Sequence, residues 1–200
     1  MFFDAATRDH GLPHDPFKAI VAPRPIGWIG TKGKDGTLNL APYSFFNAIS
    51  DRPKMVMFSS SGYKDSARNC EETGVFTANL VGASLVEAMN ESSAAVPYDA
   101  DEFALSGLTP VSGRMVDAPY VGEAPAVLEC RVTEIMRPKD IDGREIDNWV
   151  VFGQVLGIHI YDAMITDGRL DMTKVGHAAR LGYMDYANLE KTYELKRPVR

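Results

Sequence analysis

The chain has 200 residues, of which 45% are hydrophobic, which is enough for a single domain with a sizeable core. Its formal net charge of −6 argues against a nucleic-acid surface, and no apolar run approaches the roughly 18 residues of a membrane span. The acidic N-terminal segment lacks the apolar region of a secretory signal. Two cysteines are too few for a disulfide scaffold and favour a reduced, cytoplasmic setting.

The N-terminal half reads as strands joined by glycine turns. The Asp35-Gly36 pair lies between a strand-like run at 26–31 and the segment 38–49, which predicts a hairpin. Further strands rich in Val, Phe and Met are predicted at 54–60 and 75–81. Between them the sequence predicts a short helix over 66–73, with Asp65 as its N-cap and Gly74 as its terminator.

The C-terminal half predicts a short helix over 84–90, capped by Ser84, and two long strands over 126–137 and 149–160. An Asp142-Gly143 turn joins the two strands. In the first, alternation puts Leu128, Cys130 and Val132 on one side, and its interruption at Glu134-Ile135 indicates a bulge. In the second, one side carries Val150, Phe152, Leu156, Ile158 and Ile160. Many short strands with little helix predict a β-barrel or sandwich.

The segment 59–69 combines three serines, Gly62, Lys64, Asp65 and Ser66 where a strand gives way to a helix. Hydroxyl groups, free backbone N–H groups and a lysine at a helix start can together bind phosphate. The alternative is a solvated loop with a capping acid, since serine-rich turns are common.

The segment 23–53 contains aromatic, Asn and Ser side chains around the Ala41-Pro42 pair. Tyr43, Phe45 and Phe46 could face a core, as aromatic residues in strands usually do. Alternatively, they could border a flat ligand whose polar edge meets the neutral donors and acceptors of Asn and Ser. The sequence alone leaves both interpretations open.

The four histidines do not pair with Cys or carboxylates at metal-ligand spacing, so no metal site is predicted. The Gly-x-Ser-x-Gly motif that would accompany a catalytic triad is absent, as is the Gly-x-Gly-x-x-Gly of a dinucleotide-binding fold. His177 remains of interest because Arg180-Leu181-Gly182 follows shortly after it.

Four motifs in order resemble the flavin reductase-like family, the FMN-binding split-barrel proteins that include flavoredoxin and the reductase components of flavin-dependent monooxygenases. They are Pro23-Arg24-Pro25-Ile26-Gly27-Trp28-Ile29-Gly30-Thr31, Asn39-Leu40-Ala41-Pro42-Tyr43-Ser44-Phe45-Phe46-Asn47, Lys64-Asp65-Ser66-x-x-Asn69 and His177-x-x-Arg180-Leu181-Gly182. The resemblance runs from about Asp15 to Tyr186 within a single domain over residues 1–200.

The resemblance implies a mainly β fold, a six-stranded Greek-key split barrel with a few short helices, and a homodimer with FMN near the interface. The isoalloxazine ring and ribityl chain would contact Thr31, Ala41, Pro42, Tyr43, Ser44, Phe45 and Asn47. The phosphate would lie among Ser59, Ser60, Lys64, Asp65 and Ser66. His177 and Arg180 would lie near the open face of the flavin, as candidates for catalysis, and Arg180 also for cofactor binding.

The implied activity is an NADH- or NADPH-dependent reduction of flavin, with FMN or alternatively FAD as the flavin and a monooxygenase or other protein as electron acceptor. A flavoredoxin-like electron carrier without NAD(P)H activity of its own is the second hypothesis. A barrel that binds another flat ligand without catalysis is the third. The sequence does not distinguish NADH from NADPH, because no residue that reads the ribose can be placed.

Overall fold

The protein is described by a computed structural model that covers residues 1–7 and 9–199. It is mainly β with a few short helices. Two 3-10 helices lie at Ala83–Leu85 and Asp162–Met164. The other elements, in chain order, are α1 (Phe17–Ile20), β1 (Arg24–Pro25), β2 (Gly27–Lys32), β3 (Leu38–Tyr43), β4 (Phe46–Asp51), β5 (Lys54–Ser61), α2 (Asp65–Thr73), β6 (Val75–Asn79), α3 (Val86–Glu91), α4 (Glu102–Leu105), β7 (Pro110–Ser112), β8 (Pro119–Val121), β9 (Ala126–Met136), β10 (Asn148–Ile160), β11 (Ile165–Thr166), β12 (Arg169–Leu170), α5 (Met172–Val175), β13 (Ala178–Arg180) and β14 (Tyr186–Asn188).

Within the described residues, seven strands form one curled antiparallel sheet in the order β3-β2-β6-β9-β10-β5-β4. The predicted mainly β split barrel is therefore confirmed. The sheet has one strand more than the six expected, because the segment 38–49 supplies two strands rather than one. The chain bends at Ser44 and Phe45, and β3 and β4 lie at opposite edges of the sheet.

The sheet buries side chains on both faces, because α2 packs against its inner side and α3 and α4 pack against its outer side. Trp28 and Ile29 are consecutive in β2 and therefore point to opposite faces. Trp28 packs with Leu40 and Phe103 of α4, and Ile29 packs with Phe58 and other inner residues. This two-sided burial explains why β2 reads as a continuous buried run.

The glycine turns lie where the sequence predicts them. Gly36 and Gly143 have φ of 89° and 82° in the β2–β3 and β9–β10 connections, conformations that L side chains rarely adopt. Gly74 ends α2 with φ of 73° and donates its N–H to the carbonyl of Cys70.

Both predicted helix caps are wrong. The helix α2 begins at Asp65 itself, so Lys64 occupies the cap position and Asp65 lies in the first turn, where it bonds to Arg68. The predicted helix over 84–90 begins as the 3-10 turn at 83–85 and continues as α3, and Ser84 makes no cap hydrogen bond. Each observed helix start differs from the predicted one by one to two residues. A carboxylate or hydroxyl near a helix start indicates the region in which the helix begins more reliably than the exact first residue.

The long strands β9 and β10 pair with two irregularities. Thr133 is the extra residue of a bulge in β9, close to the predicted position, and Leu156 is the extra residue in β10. The bulge at Leu156 changes which side of β10 faces inward. The prediction that Val150, Phe152, Leu156, Ile158 and Ile160 share one side is therefore wrong, because the extra residue shifts the alternation between Phe152 and Ile158; of the neighbouring residues, Val151 is the buried one.

Candidate functional site

A cleft in two connected parts runs along β3 and past the start of α2. The inner cleft, of about 310 Å³, is lined by Asn39, Lys64, Ser66 and Glu102 together with the segment 92–96. The outer cleft, of about 780 Å³, is lined by residues of β1, α3, β13 and β14, including Arg24, Glu87, Arg180 and Tyr186. Pro42 and Ser93 line both parts, so the two form one continuous depression.

The start of α2 supplies the donors of the inner cleft. Gly62, with φ of 82°, turns the chain between β5 and the helix, and its carbonyl accepts the Lys64 N–H at 3.1 Å. The first N–H groups of a helix have no acceptor within the helix, and no side chain caps this one. No described carboxylate lies within 4.0 Å of the Lys64 ammonium. These N–H groups and Lys64 together form an anion-binding arrangement.

Asp65 lines this cleft, but its carboxylate turns toward the helix. It accepts a hydrogen bond from Arg68 at 2.9 Å, and the Arg68 guanidinium stacks over the Tyr98 ring at 3.8 Å. Tyr98 follows the segment 92–96 and connects it to the β2–β3 turn, because its hydroxyl donates a hydrogen bond to the Asp35 carboxylate at 3.2 Å. Asp65 therefore fixes the wall of the cleft and leaves Lys64 as its cation.

A buried network of side chains lies directly beneath the inner cleft. The Asn39 amide donates to Thr31 at 3.0 Å and to Ser66 at 2.9 Å, and the Asn69 amide donates to Thr31 at 3.1 Å. Thr31 is 0% exposed. Thr31 is not among the residues that line either part of the cleft, and its hydroxyl joins β2, β3 and α2 beneath the cleft surface.

Ser60 also lies beneath the surface instead of on it. Its hydroxyl donates to the Gly62 carbonyl at 2.9 Å and the residue is fully buried. Burial raises the pKa of the Tyr43 phenol, and the neighbouring Ser66 and Ser60 hydroxyls partly oppose that increase. Ser60 therefore holds the turn before α2, and Tyr43 borders the inner cleft with Ala41.

Three other predicted site residues lie outside this cleft. Phe45, Asn47 and Ser59 border a neighbouring groove, which is also lined by Phe17 and Ile20 of α1 and shares Lys18, Arg24 and Ser44 with the outer cleft. The Asn47 side chain accepts the N–H of Ala48 at 2.8 Å, and Ser59 accepts from Asn148 at 3.2 Å. Phe45 lies in the bend between β3 and β4, whereas Asn47 and Ser59 lie on the paired strands β4 and β5.

Two arginines define the outer cleft. Arg24 of β1 and Arg180 of β13 are direct partners across an antiparallel pair. Arg24 is 6% exposed and donates to the carbonyls of Lys18, Val21 and Leu181, the last at 2.7 Å. Burial lowers the pKa of Arg24, and the charge of Arg180 lowers it further. Arg180 donates to the Tyr183 carbonyl at 2.7 Å and stacks over the Tyr186 ring at 4.4 Å.

Arg24 is a site residue that the sequence reasoning missed. The only local signal was its position between two prolines, which restrict the backbone on both sides. His177 shows the opposite outcome, because it does not line either part of the cleft. Its Nε2 is buried without a partner in the described residues, and burial lowers its pKa.

Glu102 was also missed. This residue of α4 borders the inner cleft, is 8% exposed and accepts the Leu40 N–H at 3.2 Å. Burial raises the pKa of Glu102, and the charges of Asp65 and Asp101 add to that effect. Glu102 follows Asp99 and Asp101 in the sequence, and nothing in this acidic segment predicts that its side chain would be buried.

The cleft therefore offers donors, cations and flat apolar walls. Among residues 1–7 and 9–199, no group of three or more His, Cys, Asp or Glu side chains is placed to hold a metal ion. The same residues include no helix long and apolar enough to cross a membrane. The arrangement is suited to holding and orienting a ligand that carries an anionic group at one end.

Comparisons with known proteins give matches over most of the chain. The model of the flavin reductase like domain matches residues 21–173. Among curated proteins, an uncharacterised protein of Deinococcus radiodurans is 34% identical over 208 residues, covering 98% of this chain and 88% of that protein. An uncharacterised protein of Aquifex aeolicus is 33% identical, covering 88% of this chain and 90% of that protein.

Solved structures extend the likeness to the fold. Nitrilotriacetate monooxygenase component B from Bacillus cereus superposes with a TM-score of 0.88 at 27% identity, covering 98% of both chains. Flavoredoxin of Desulfovibrio vulgaris (Miyazaki F) superposes with a TM-score of 0.78 at 23% identity, covering 86% of this chain and 90% of that one. The second likeness concerns the fold alone.

Proposed function

Because this chain belongs to the flavin reductase like family, we propose that it is an FMN-binding oxidoreductase that transfers hydride from NADH or NADPH to flavin. The family supports flavin-linked redox chemistry in general. The proposal adds that the flavin is FMN rather than FAD and that the electron donor is NADH or NADPH. A structural neighbour from Thermus thermophilus is described as an FMN-binding protein, which favours FMN among flavins.

The observation that carries the proposal is the inner cleft. The uncapped N-terminus of α2, the unpaired ammonium of Lys64 among the described residues, and the Ser66 hydroxyl converge on one small pocket. A terminal phosphate satisfies all of these donors at once, whereas a neutral ligand would leave the charge of Lys64 uncompensated. FMN carries its phosphate at the end of a flexible chain.

The rest of the cleft fits the remainder of such a ligand. Asn39, Ala41 and Tyr43 alternate along one face of β3 beside the phosphate pocket, and Pro42 leads from there to the larger outer cleft. The outer cleft is the larger of the two parts, at about 780 Å³, and is lined by both polar and apolar residues, including Ile26, Ser44 and Tyr186. Ribityl hydroxyl groups and a flat ring with a polar edge match these surroundings.

When bound, the flavin would supply the redox chemistry by accepting a hydride equivalent from the donor and passing electrons onward. The chain itself would bind and orient. Lys64 and Ser66 would hold the phosphate, Pro42 and Ser44 would border the ring, and the segment 92–96 would exclude water from the inner cleft. No general acid or base is required for this role, which agrees with the position of His177 outside the cleft.

The proposal also includes a cytoplasmic homodimer that delivers electrons to a monooxygenase or another acceptor. Cys70 and Cys130 are free and buried, as expected for a reducing compartment. The groove beside Ser44 is bordered by Phe17, Ile20 and Val21, which are all exposed, and a second copy would cover this apolar surface next to the cleft. Sedimentation of the purified protein tests the dimer.

An absorption spectrum of the purified protein, followed by NADH and NADPH consumption with added FMN or FAD, tests the function. Consumption of either donor supports the proposal. A yellow protein that consumes neither donor would replace it with the electron carrier similar to flavoredoxin. A colourless protein that also fails to quench flavin fluorescence on titration would rule out both flavin functions.

A further inference from the structure

Two like charges face each other in the floor of the outer cleft. Arg24 and Arg180 are direct cross-strand partners in the β1–β13 pair. Like charges directly opposite each other in an antiparallel pair are unfavourable. The lowered pKa of Arg24 reflects that repulsion in addition to burial. Both arginines nevertheless line the same cleft.

Nothing in the described part of the chain neutralises this pair. Neither guanidinium has a carboxylate within 4.0 Å among residues 1–7 and 9–199. Backbone carbonyls take most of the Arg24 protons, and the Tyr183 carbonyl accepts from Arg180. Carbonyl groups satisfy hydrogen bonds but carry only partial charge. Two full positive charges therefore remain without a counter-ion.

Arg24 also keeps an unused donor. Its side chain is more than nine-tenths buried, and its Nε has no hydrogen-bond partner in the described residues. A buried donor of a charged group without an acceptor costs free energy.

The other charges around the outer cleft divide it into two sides. Lys18 of α1 adds a third cation on the side of the arginines. Glu87 and Glu91 of α3 line the cleft as well, but neither lies within 4.0 Å of the arginines. The cleft thus has a basic side and an acidic side, and an anionic group is directed to the basic side.

We propose that the outer cleft holds an anionic oxygen group, phosphate or carboxylate, of the second ligand, bound by the Arg24–Arg180 pair. The inference deepens the proposed function, on which it rests, because the second ligand enters the same cleft as the flavin. Two sources share this chemistry: the phosphates of a nicotinamide dinucleotide and the carboxylate of an organic acid. Arginine recognises both through paired N–H groups.

Calorimetric titration of the FMN-saturated protein tests the proposal with three probes: ADP, adenosine and benzoate. We expect Arg180→Gln to weaken ADP or benzoate by about tenfold, the loss of one charge-assisted hydrogen bond. Adenosine, which has no charge, should bind both proteins equally. The probe that binds identifies phosphate or carboxylate as the source. Arg180→Lys should retain part of the affinity.

Arg144→Gln is the matched control, because Arg144 lies in the exposed β9–β10 hairpin and pairs with Asp142 there. The control should bind the probes as the unchanged protein does. Arg24 is left intact in these variants because its buried bonds to three carbonyls hold α1 and β13 in place.

Three results would overturn the proposal: failure of both ADP and benzoate to bind, equal affinity in Arg180→Gln, or a parallel loss of FMN affinity, which would assign Arg180 to the flavin. These results differ from a failure of the proposed function, in which the unchanged protein would not bind FMN. The ADP and benzoate titrations of the protein as purified still report on the arginine pair in that case.

Discussion

The inner and outer parts of the cleft are built in different ways. The inner cleft rests on the six-residue strand β3, the nine-residue helix α2 and a buried network of Thr31, Asn39, Ser66 and Asn69. The outer cleft rests on strands of two and three residues, β1, β13 and β14. Its cations are held by backbone carbonyls and one aromatic ring.

This difference indicates a division of work. A site whose donors are already fixed by buried neutral hydrogen bonds loses little conformational entropy when a ligand binds. The inner cleft is therefore suited to a tightly bound ligand. A site with uncompensated charges on short strands changes more when its occupant arrives or leaves. The outer cleft is therefore suited to a ligand that exchanges.

The largest effect is expected from Thr31→Val, which preserves shape but removes the acceptor of two buried amide groups. Each donor left without a partner costs about 1–3 kcal/mol of unfolding free energy. Urea unfolding measures the loss. Thr133→Val, at an exposed hydroxyl in the β9 bulge, is the control and should change stability by less than about 0.5 kcal/mol.

Thr31→Val also distinguishes two roles for this residue. If Thr31 acts beneath the cleft, stability and FMN affinity fall together, because Ser66 loses the support of Asn39. Unchanged stability with a selective loss of FMN affinity would instead mean that the hydroxyl touches the ligand, as the family resemblance implies. That result would contradict the buried position of Thr31.

Lys64→Ala should weaken FMN by roughly ten- to a hundredfold, because a charge-assisted phosphate contact contributes about 1.5–3 kcal/mol. Riboflavin, which lacks the phosphate, should bind both proteins alike. Fluorescence quenching of the two flavins measures the affinities. Lys34→Ala, in the exposed β2–β3 turn, controls for the loss of one positive charge. Equal losses for FMN and riboflavin would place the phosphate elsewhere.

The smallest effect concerns pH and Glu102. Burial raises the pKa of this carboxyl in the folded protein, so folding favours its protonated form. The stability gained from this preference is complete below the pKa of the carboxyl in the unfolded chain, about 4.3. It is lost as the pH rises through the higher pKa of the carboxyl in the folded protein. Urea unfolding from about pH 4 to about pH 8 should therefore show a shallower fall in stability for Glu102→Gln than for the unchanged protein.

Glu134→Gln is the control for this series, because Glu134 is exposed on β9 and makes no side-chain hydrogen bond in the described residues. Its pH profile should match that of the unchanged protein. A Glu102→Gln profile that also matches would mean that the carboxyl is as well solvated in the folded chain as in the unfolded one.

Local signals predicted the turns, the long strands and the region of α2 correctly. They depend on residues close in the chain, such as Gly36, Gly74 and the Lys64–Ser66 start of the helix. The polar residues around this helix start also identified the inner cleft. The family resemblance, and not the residue pattern alone, gave the split barrel and the flavin.

Depth and long-range pairing could not be predicted. Thr31 and Ser60 have the same hydroxyl chemistry as Ser66, and only the packing of β2, β3 and α2 decides which of them reaches the cleft. The Arg24–Arg180 pair joins opposite ends of the chain through β1 and β13, strands too short to show a period. The bulge at Leu156 divided the side chains predicted for one side of β10 between its two faces, because one extra residue shifts the alternation.

The bond from Leu40 to Glu102 has a consequence beyond the ligand. The strand β3 lies at the end of the sheet, where unpaired N–H groups invite another chain to pair and begin aggregation. The Glu102 carboxylate accepts a hydrogen bond from one of these N–H groups, that of Leu40. Pro42 in the same strand has no N–H group. An inward-turned acid and a proline thus protect the exposed edge along which the cleft is built, so the protein can keep it open to small molecules while closing it to other strands.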